Sequence, residues 1–132
     1  MAISPQNMRR ALSVLLCAYW VTLFTATHLT HVPAVVEAHG SDKAWHFVGY
    51  AGLTILLAAR TVSVRSLSTN VVVCILGIVA LYGAIDEVSQ IPVGRDAEIA
   101  DWYADLAGAA VGMFLIGIIC AVTGRLSAGP KA

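Results

Sequence analysis

A bundle of four transmembrane helices, all-α and joined by short loops, is the fold this sequence predicts, and three observations predict it. The 132 residues are 58% hydrophobic and 12% charged, about half the roughly 25% of charged residues usual in soluble domains, and mean hydropathy is +0.79. So little charge does not cover a water-facing surface. Four apolar runs follow one another, each bounded by Gly, Pro or charged residues. The basic residues fall mostly on one side of these runs, the side that faces the cytoplasm in helical membrane proteins. The length suits one domain: a short N-terminal segment over residues 1–10, the bundle over 11–123 and a tail over 124–132.

The first run, ALSVLLCAYWVTLFTATHLT from Ala11 to Thr30, is long enough at about 1.5 Å per residue to cross roughly 30 Å of hydrocarbon. Arg9-Arg10 before it has the look of a signal peptide, but no A-x-A site follows and three more apolar runs do. The segment His31 to Lys43 carries the turn formers Pro33 and Gly40, and Ser41 or Asp42 suits the N-cap of the second helix. That helix is expected over Asp42–Ala59, short for a span, with its charged first turn among headgroups. RTVSVRSLS leads to a third helix over Thr69–Ile91, which Pro92 and Gly94 end; a fourth covers Ala100–Val122.

With the N-terminus inside, Arg9, Arg10, Arg60, Arg65, Arg125 and Lys131 are cytoplasmic, and only Lys43 and Arg95 lie outside. Both termini are then cytoplasmic. Trp45, Trp102 and Tyr103 fall at the outer interface, where amphipathic rings prefer to sit. Net charge is zero, and nothing recommends nucleic acid as a partner. Cys17, Cys74 and Cys120 lie singly in apolar runs and read as small helix residues, not as a disulfide or metal framework.

Function concentrates in LYGAIDEVSQIPVGRDAEIADWYAD, Leu81 to Asp105, which holds Asp86, Glu87, Arg95, Asp96, Glu98, Asp101 and Asp105 between two apolar runs. Charges near hydrocarbon cost a few kcal/mol each or more and mark functional sites by default. The spacings sharpen the point. Asp42, His46 and Tyr50 stand at i, i+4, i+8, with Gly49 beside them; Tyr82, Asp86 and Gln90 repeat that interval; Asp101, Asp105, Gly108 and Gly112 follow at i, i+4, i+7, i+11. Such offsets share one helix face. Three helices thus carry one polar stripe each at one depth, and a wet pocket between the second, third and fourth helices is expected, opening outward.

His46, Asp86 and Glu87 are the acid/base candidates: an imidazole titrates near neutrality, and crowded carboxylates have their pKa values pushed apart. Asp42, Lys43, Tyr50, Gln90, Arg95, Asp101 and Asp105 are candidates for binding a substrate, with Arg95 and Lys43 suited to an anion. Bland readings stand beside these. Lys43 can simply neutralise Asp42 or Asp101; Asp96 and Glu98 read as a solvated loop; the stripes can form a structural ion-pair network. His28, His31 and His39 read as interface residues and Ser89 as packing.

Asp42-Lys43-x-x-His46 with Tyr50, then Gly83-x-x-Asp86-Glu87-x-x-Gln90, Pro92-x-Gly94-Arg95, Asp101 and the Gly108 and Gly112 ending, resemble the motifs of the VanZ-like family, over roughly residues 40–113. Members of that family often have Asn where this chain has Asp105. The resemblance implies a multi-pass protein of the bacterial plasma (inner) membrane, since the founding member is associated with low-level resistance to the glycopeptide teicoplanin. Three functions are expected to compete. The chain binds or modifies an outer-leaflet headgroup, on a lipid-linked or cell-wall intermediate; it is a proton-coupled or small-molecule carrier; or it is a non-catalytic assembly or antibiotic-binding protein. One imidazole among several carboxylates can also hold a divalent cation. The residues leave open whether the site is catalytic.

Overall fold

The computed structural model of the chain describes residues 4–29 and 42–124. Pro33, Gly40, the Ser41 cap, His31, His39, Arg125 and Lys131 lie outside the described residues. Within them the chain is all-helical: α1 Pro5–Thr27, α2 Asp42–Val62, α3 Thr69–Gln90 and α4 Ile99–Val122, with a 3-10 turn at Ile91–Val93.

Local chemistry sets the ends. α1 starts six residues before the expected Ala11, because Ser4 caps it by accepting from the Asn7 N–H at 3.2 Å and Pro5 occupies the first turn. Residues 5–10 of the expected N-terminal segment are therefore helical. Ser68 caps α3 in the same way through the Val71 N–H. α2 opens on Asp42 and closes on Arg60, each charge at the helix end whose dipole it complements. After α3, Pro92 tightens the chain into the 3-10 turn, and Gly94 takes a left-handed φ of 81° that turns the chain toward α4.

α1, α3 with its following turn, and α4 are each long and apolar enough to cross a membrane, which makes the chain a helical membrane protein. α2 is not one of these three; Asp42, Lys43, His46 and Arg60 dilute its apolar character. Asp42 and Lys43 stay exposed, whereas His46 is buried by packing. α2 lies between α1 and α4, most extensively against α4, while α3 lies against α4 and touches α2. Glycines bring the axes together. A Cβ on Gly108 would strike the Phe47 carbonyl, and one on Gly112 the Ala51 carbonyl, so α4 rests on the backbone of α2. On the other side of α2, Gly49 faces Leu23, and the Tyr19 hydroxyl donates to the Gly49 carbonyl at 3.0 Å.

The surface is apolar, as lipid requires: Val14, Val21, Val73, Ile78, Leu81, Phe114 and Val122 are all exposed. The exposed Thr22 and Thr25 donate their hydroxyls to the carbonyls of Ala18 and Val21, four residues back, and so leave no free donor. Leu53, Ala58, Ile75, Val79, Met113, Ile116 and Cys120 form an apolar core. Cys17 and Cys74 are exposed, Cys120 is buried, and all three are free thiols. Apart from Thr54, midway along α2, the buried polar residues gather at one end of the bundle, at the close of α1 and α3 and the start of α2 and α4.

Candidate functional site

The orientation of α3 creates the site. Ile85 and Val88 are exposed while Asp86, Glu87 and Gln90 are buried, so two adjacent carboxylates enter the bundle on diverging sides. Glu87 points toward α2 and α4. His46 Nδ1 lies 2.9 Å from Asp105 Oδ1 and 3.6 Å from Glu87 Oε1. Gln90 donates to Glu87 Oε1 at 3.4 Å, and the Glu98 N–H, at the start of α4, donates to Glu87 Oε2 at 3.0 Å. His46 is 2% exposed and Asp105 not at all. One imidazole and two carboxylates from three helices thus meet out of water.

Asp86 points the other way. Its Oδ1 accepts from the Thr27 hydroxyl at 3.2 Å and its Oδ2 from Tyr50 at 3.3 Å, with His28 Nδ1 3.8 Å away. Tyr50 is sandwiched between the rings of His46 and Tyr82, at centroid distances of 6.4 and 5.8 Å. It joins the Asp86 group to the His46 group. Gly83 makes room for this: a Cβ there would stand 2.9 Å from Asp105 Oδ2 and 3.4 Å from the Tyr50 ring.

The cationic candidates are already engaged. Lys43 pairs with Glu98 at 2.9 Å and with Asp101 at 3.2 Å, and does not pair with Asp42; Asp42 pairs with Arg95 at 2.6 Å. Arg95 also donates to the Leu29 carbonyl. Glu98 is therefore no free loop carboxylate: the hydrogen bond from Lys43 and that ammonium's charge hold it below the usual range. Asp96 is exposed, as expected.

A cavity of about 320 Å³ lies between α1 and α2, lined mostly by apolar residues such as Tyr19, Leu23, Trp45 and Gly49, with Asp42 and Arg95 among its polar residues and His46 in its wall. The reason is steric. The glycines of α4 let it sit flush on α2, whereas the large side chains of α1 hold that helix away.

All ten sequence-predicted site residues lie at this end of the bundle. His46, Glu87, Gln90, Asp101 and Asp105 are buried between α2, α3 and α4; Asp86 and Tyr50 form the neighbouring group; Asp42, Lys43 and Arg95 make the rim. α1 adds what the stripes did not reveal. Thr27 binds Asp86, and His28, expected only as an interface residue, sets Nε2 3.0 Å from Ser89 Oγ and Nδ1 2.8 Å from the Phe24 carbonyl. The one signal for it was the polar pair Thr27-His28 at the end of an apolar run.

This arrangement can hold and move protons. With Nδ1 engaged by Asp105, the imidazole has a fixed orientation, and Nε2 is the nitrogen left to exchange a proton with a ligand. No family model matches the chain, and no curated protein or solved structure matches it either.

Proposed function

We propose that the chain is a VanZ-like protein of the bacterial plasma membrane, spanning it four times with both termini inside, and that it binds or modifies the headgroup of a lipid-linked or cell-wall intermediate from the outer leaflet. The observation that carries this reading is the position of His46, which belongs both to the buried group with Glu87 and Asp105 and to the wall of the mainly apolar cavity between α1 and α2. A cavity that is apolar along one side and polar at one end suits an amphipathic ligand, and its volume falls at the lower end of the range for small-molecule sites. A hydrocarbon tail fits along Leu23 and Trp45. A phosphate or carboxylate headgroup fits at the rim, where Arg95 is a bidentate donor once it releases Asp42. His46 then acts as acid or base on the headgroup, oriented by Asp105.

Lipid and cell-wall precursor profiles of a bacterial strain lacking the protein test this. A precursor is expected to accumulate and to return to normal with the wild-type chain or with Asp96→Asn, but not with His46→Gln or Glu87→Gln. Unchanged profiles in the deletion strain, or full rescue by His46→Gln, would sink the reading.

A further inference from the structure

The buried cluster holds more acid than its own hydrogen bonds answer. Asp86, Glu87, Asp101 and Asp105 are at most 5% exposed, and the bases that reach them among the described residues are His46, His28 and, from the rim, Lys43. Asp105 Oδ2 is buried with no hydrogen-bond partner among the described residues, although the other oxygen of that carboxylate touches His46. Asp101 Oδ1 also lacks a hydrogen bond, but Lys43 stands 3.2 Å from it. A buried carboxylate oxygen with no partner is costly to keep out of water. A cation bound by the Asp105 carboxylate would lower that cost.

Two of the three distances that such a site needs are present. A His46 nitrogen, a Glu87 oxygen and an Asp105 oxygen lie within 4.8 Å of one another, and Nδ1 stands 2.9 and 3.6 Å from the two carboxylates. Ligand atoms around a divalent ion with bonds of about 2.0–2.2 Å stand roughly 2.8–3.6 Å apart, from octahedral to tetrahedral arrangements. The shell around these groups is built as metal ligands require: Gln90 and the Glu98 N–H hold the two oxygens of Glu87. Asp42, His46 and Asp101 form a second such group, but Asp42 is exposed and committed to Arg95.

We infer that His46, Glu87 and Asp105 bind one divalent transition-metal ion of the zinc, manganese or iron(II) kind through one imidazole nitrogen and two carboxylates. Calcium and magnesium favour all-oxygen shells, copper(I) favours thiolate, and a mixed nitrogen and oxygen set selects between them. The ion bridges α2, α3 and α4. It takes the place of the proton between His46 and Asp105 and leaves Nε2 available. It shares its residues with the headgroup reading, and the test uses metal alone so that the two fail separately.

Protein purified in detergent, stripped with a chelator and dialysed against zinc, manganese or iron(II), is assayed by elemental analysis and thermal melting. The wild-type chain is expected to retain one ion and to melt higher with it. His46→Gln and Glu87→Gln should each weaken binding by about 100-fold or more, beyond the roughly 10–100-fold typical of losing a supporting residue, while Asp96→Asn changes nothing. Failure of the wild-type chain to take up any of the three ions overturns the site, as does equal uptake by both variants. Should the variants not fold, X-ray absorption of the loaded wild-type chain decides. A shell with one imidazole and carboxylate oxygens supports the assignment, and a shell without imidazole overturns it. A chain that binds no metal, yet whose His46→Gln variant still fails to restore the normal precursor profile, removes the ion and leaves the headgroup reading intact.

Discussion

Asp86 and Glu87 show what one residue of offset does on a helix. Their side chains diverge by about 100° at 3.6 residues per turn, enough to put Asp86 against Thr27 and Tyr50 and Glu87 against His46. Asp86→Asn keeps the volume and removes a charge from an acidic group. It leaves one of the two hydroxyl donors without an acceptor, a loss of about 1 kcal/mol, which relief of like-charge repulsion offsets. The melting temperature should change little while complementation is lost. Gly83 supplies a second case. A methyl there meets Asp105 Oδ2 at 2.9 Å and Trp102 at 3.2 Å, and Asp105 has no slack because His46 holds it. Gly83→Ala should therefore cost about 1–3 kcal/mol by overpacking. Gly77→Ala, in the same helix with nothing within 4 Å, should be neutral or mildly stabilising. Melting the two variants side by side measures the difference, and equal behaviour would show that Asp105 is not held where described.

The element that decides the architecture is α2, which is not among the three helices apolar enough to cross a membrane and is the one enclosed between two others. Its exposed first turn is tolerated because its charges are paired, Asp42 with Arg95 and Lys43 with Glu98 and Asp101, and α4 packs closely on the next turns because Gly108 and Gly112 meet carbonyls of the α2 backbone. A backbone carbonyl does not move aside as a side chain does. Gly108→Leu should therefore separate α2 from α4 and lower both the amount of protein in the membrane and its melting temperature, by more than Asp86→Asn does. Gly117→Ala on the same helix, where a Cβ has nothing within 4 Å, should leave both unchanged. If Asp86→Asn destabilises as much as Gly108→Leu, the carboxylate belongs to a structural network and the site reading fails.

Across the whole molecule the two ends differ in kind. At one end Arg9 donates to the Ser63 carbonyl at 3.2 Å and Arg60 to the Ser13 hydroxyl at 2.7 Å, tying the start of α1 to the end of α2. At the other lie the acidic cluster and its rim of ion pairs. Basic residues are retained on the cytoplasmic side, so the proposed topology places the Arg9 and Arg60 end inside. Reporter fusions at Arg65 and Ala132 are expected to read inside and one at Asp96 outside. An outside reading at Ala132 would remove one span, and α2, with its charged first turn, is the helix that would be lost.

By itself the sequence determined that the chain is helical and lipid-facing, where three of its helices lie to within a few residues, and which polar residues share a face. Hydropathy, helical period and capping act over one or two turns and need no partner. The start of α1 is set by the cap at Ser4 and by Pro5, not by the charges of Arg9 and Arg10. Only the tertiary structure decided which stripe residues touch. It put Asp105, not Asp86, on His46, engaged Lys43 with Glu98 and Arg95 with Asp42, and brought Thr27 and His28 of α1 to Asp86. It also opened a cavity in the gap between α1 and α2. These outcomes depend on how closely each pair of helices approaches. That distance is set by side chains on two helices at once, Gly108 against Phe47 on one side of α2 and Leu23 against Gly49 on the other, and no single stretch of sequence contains both halves of such a contact.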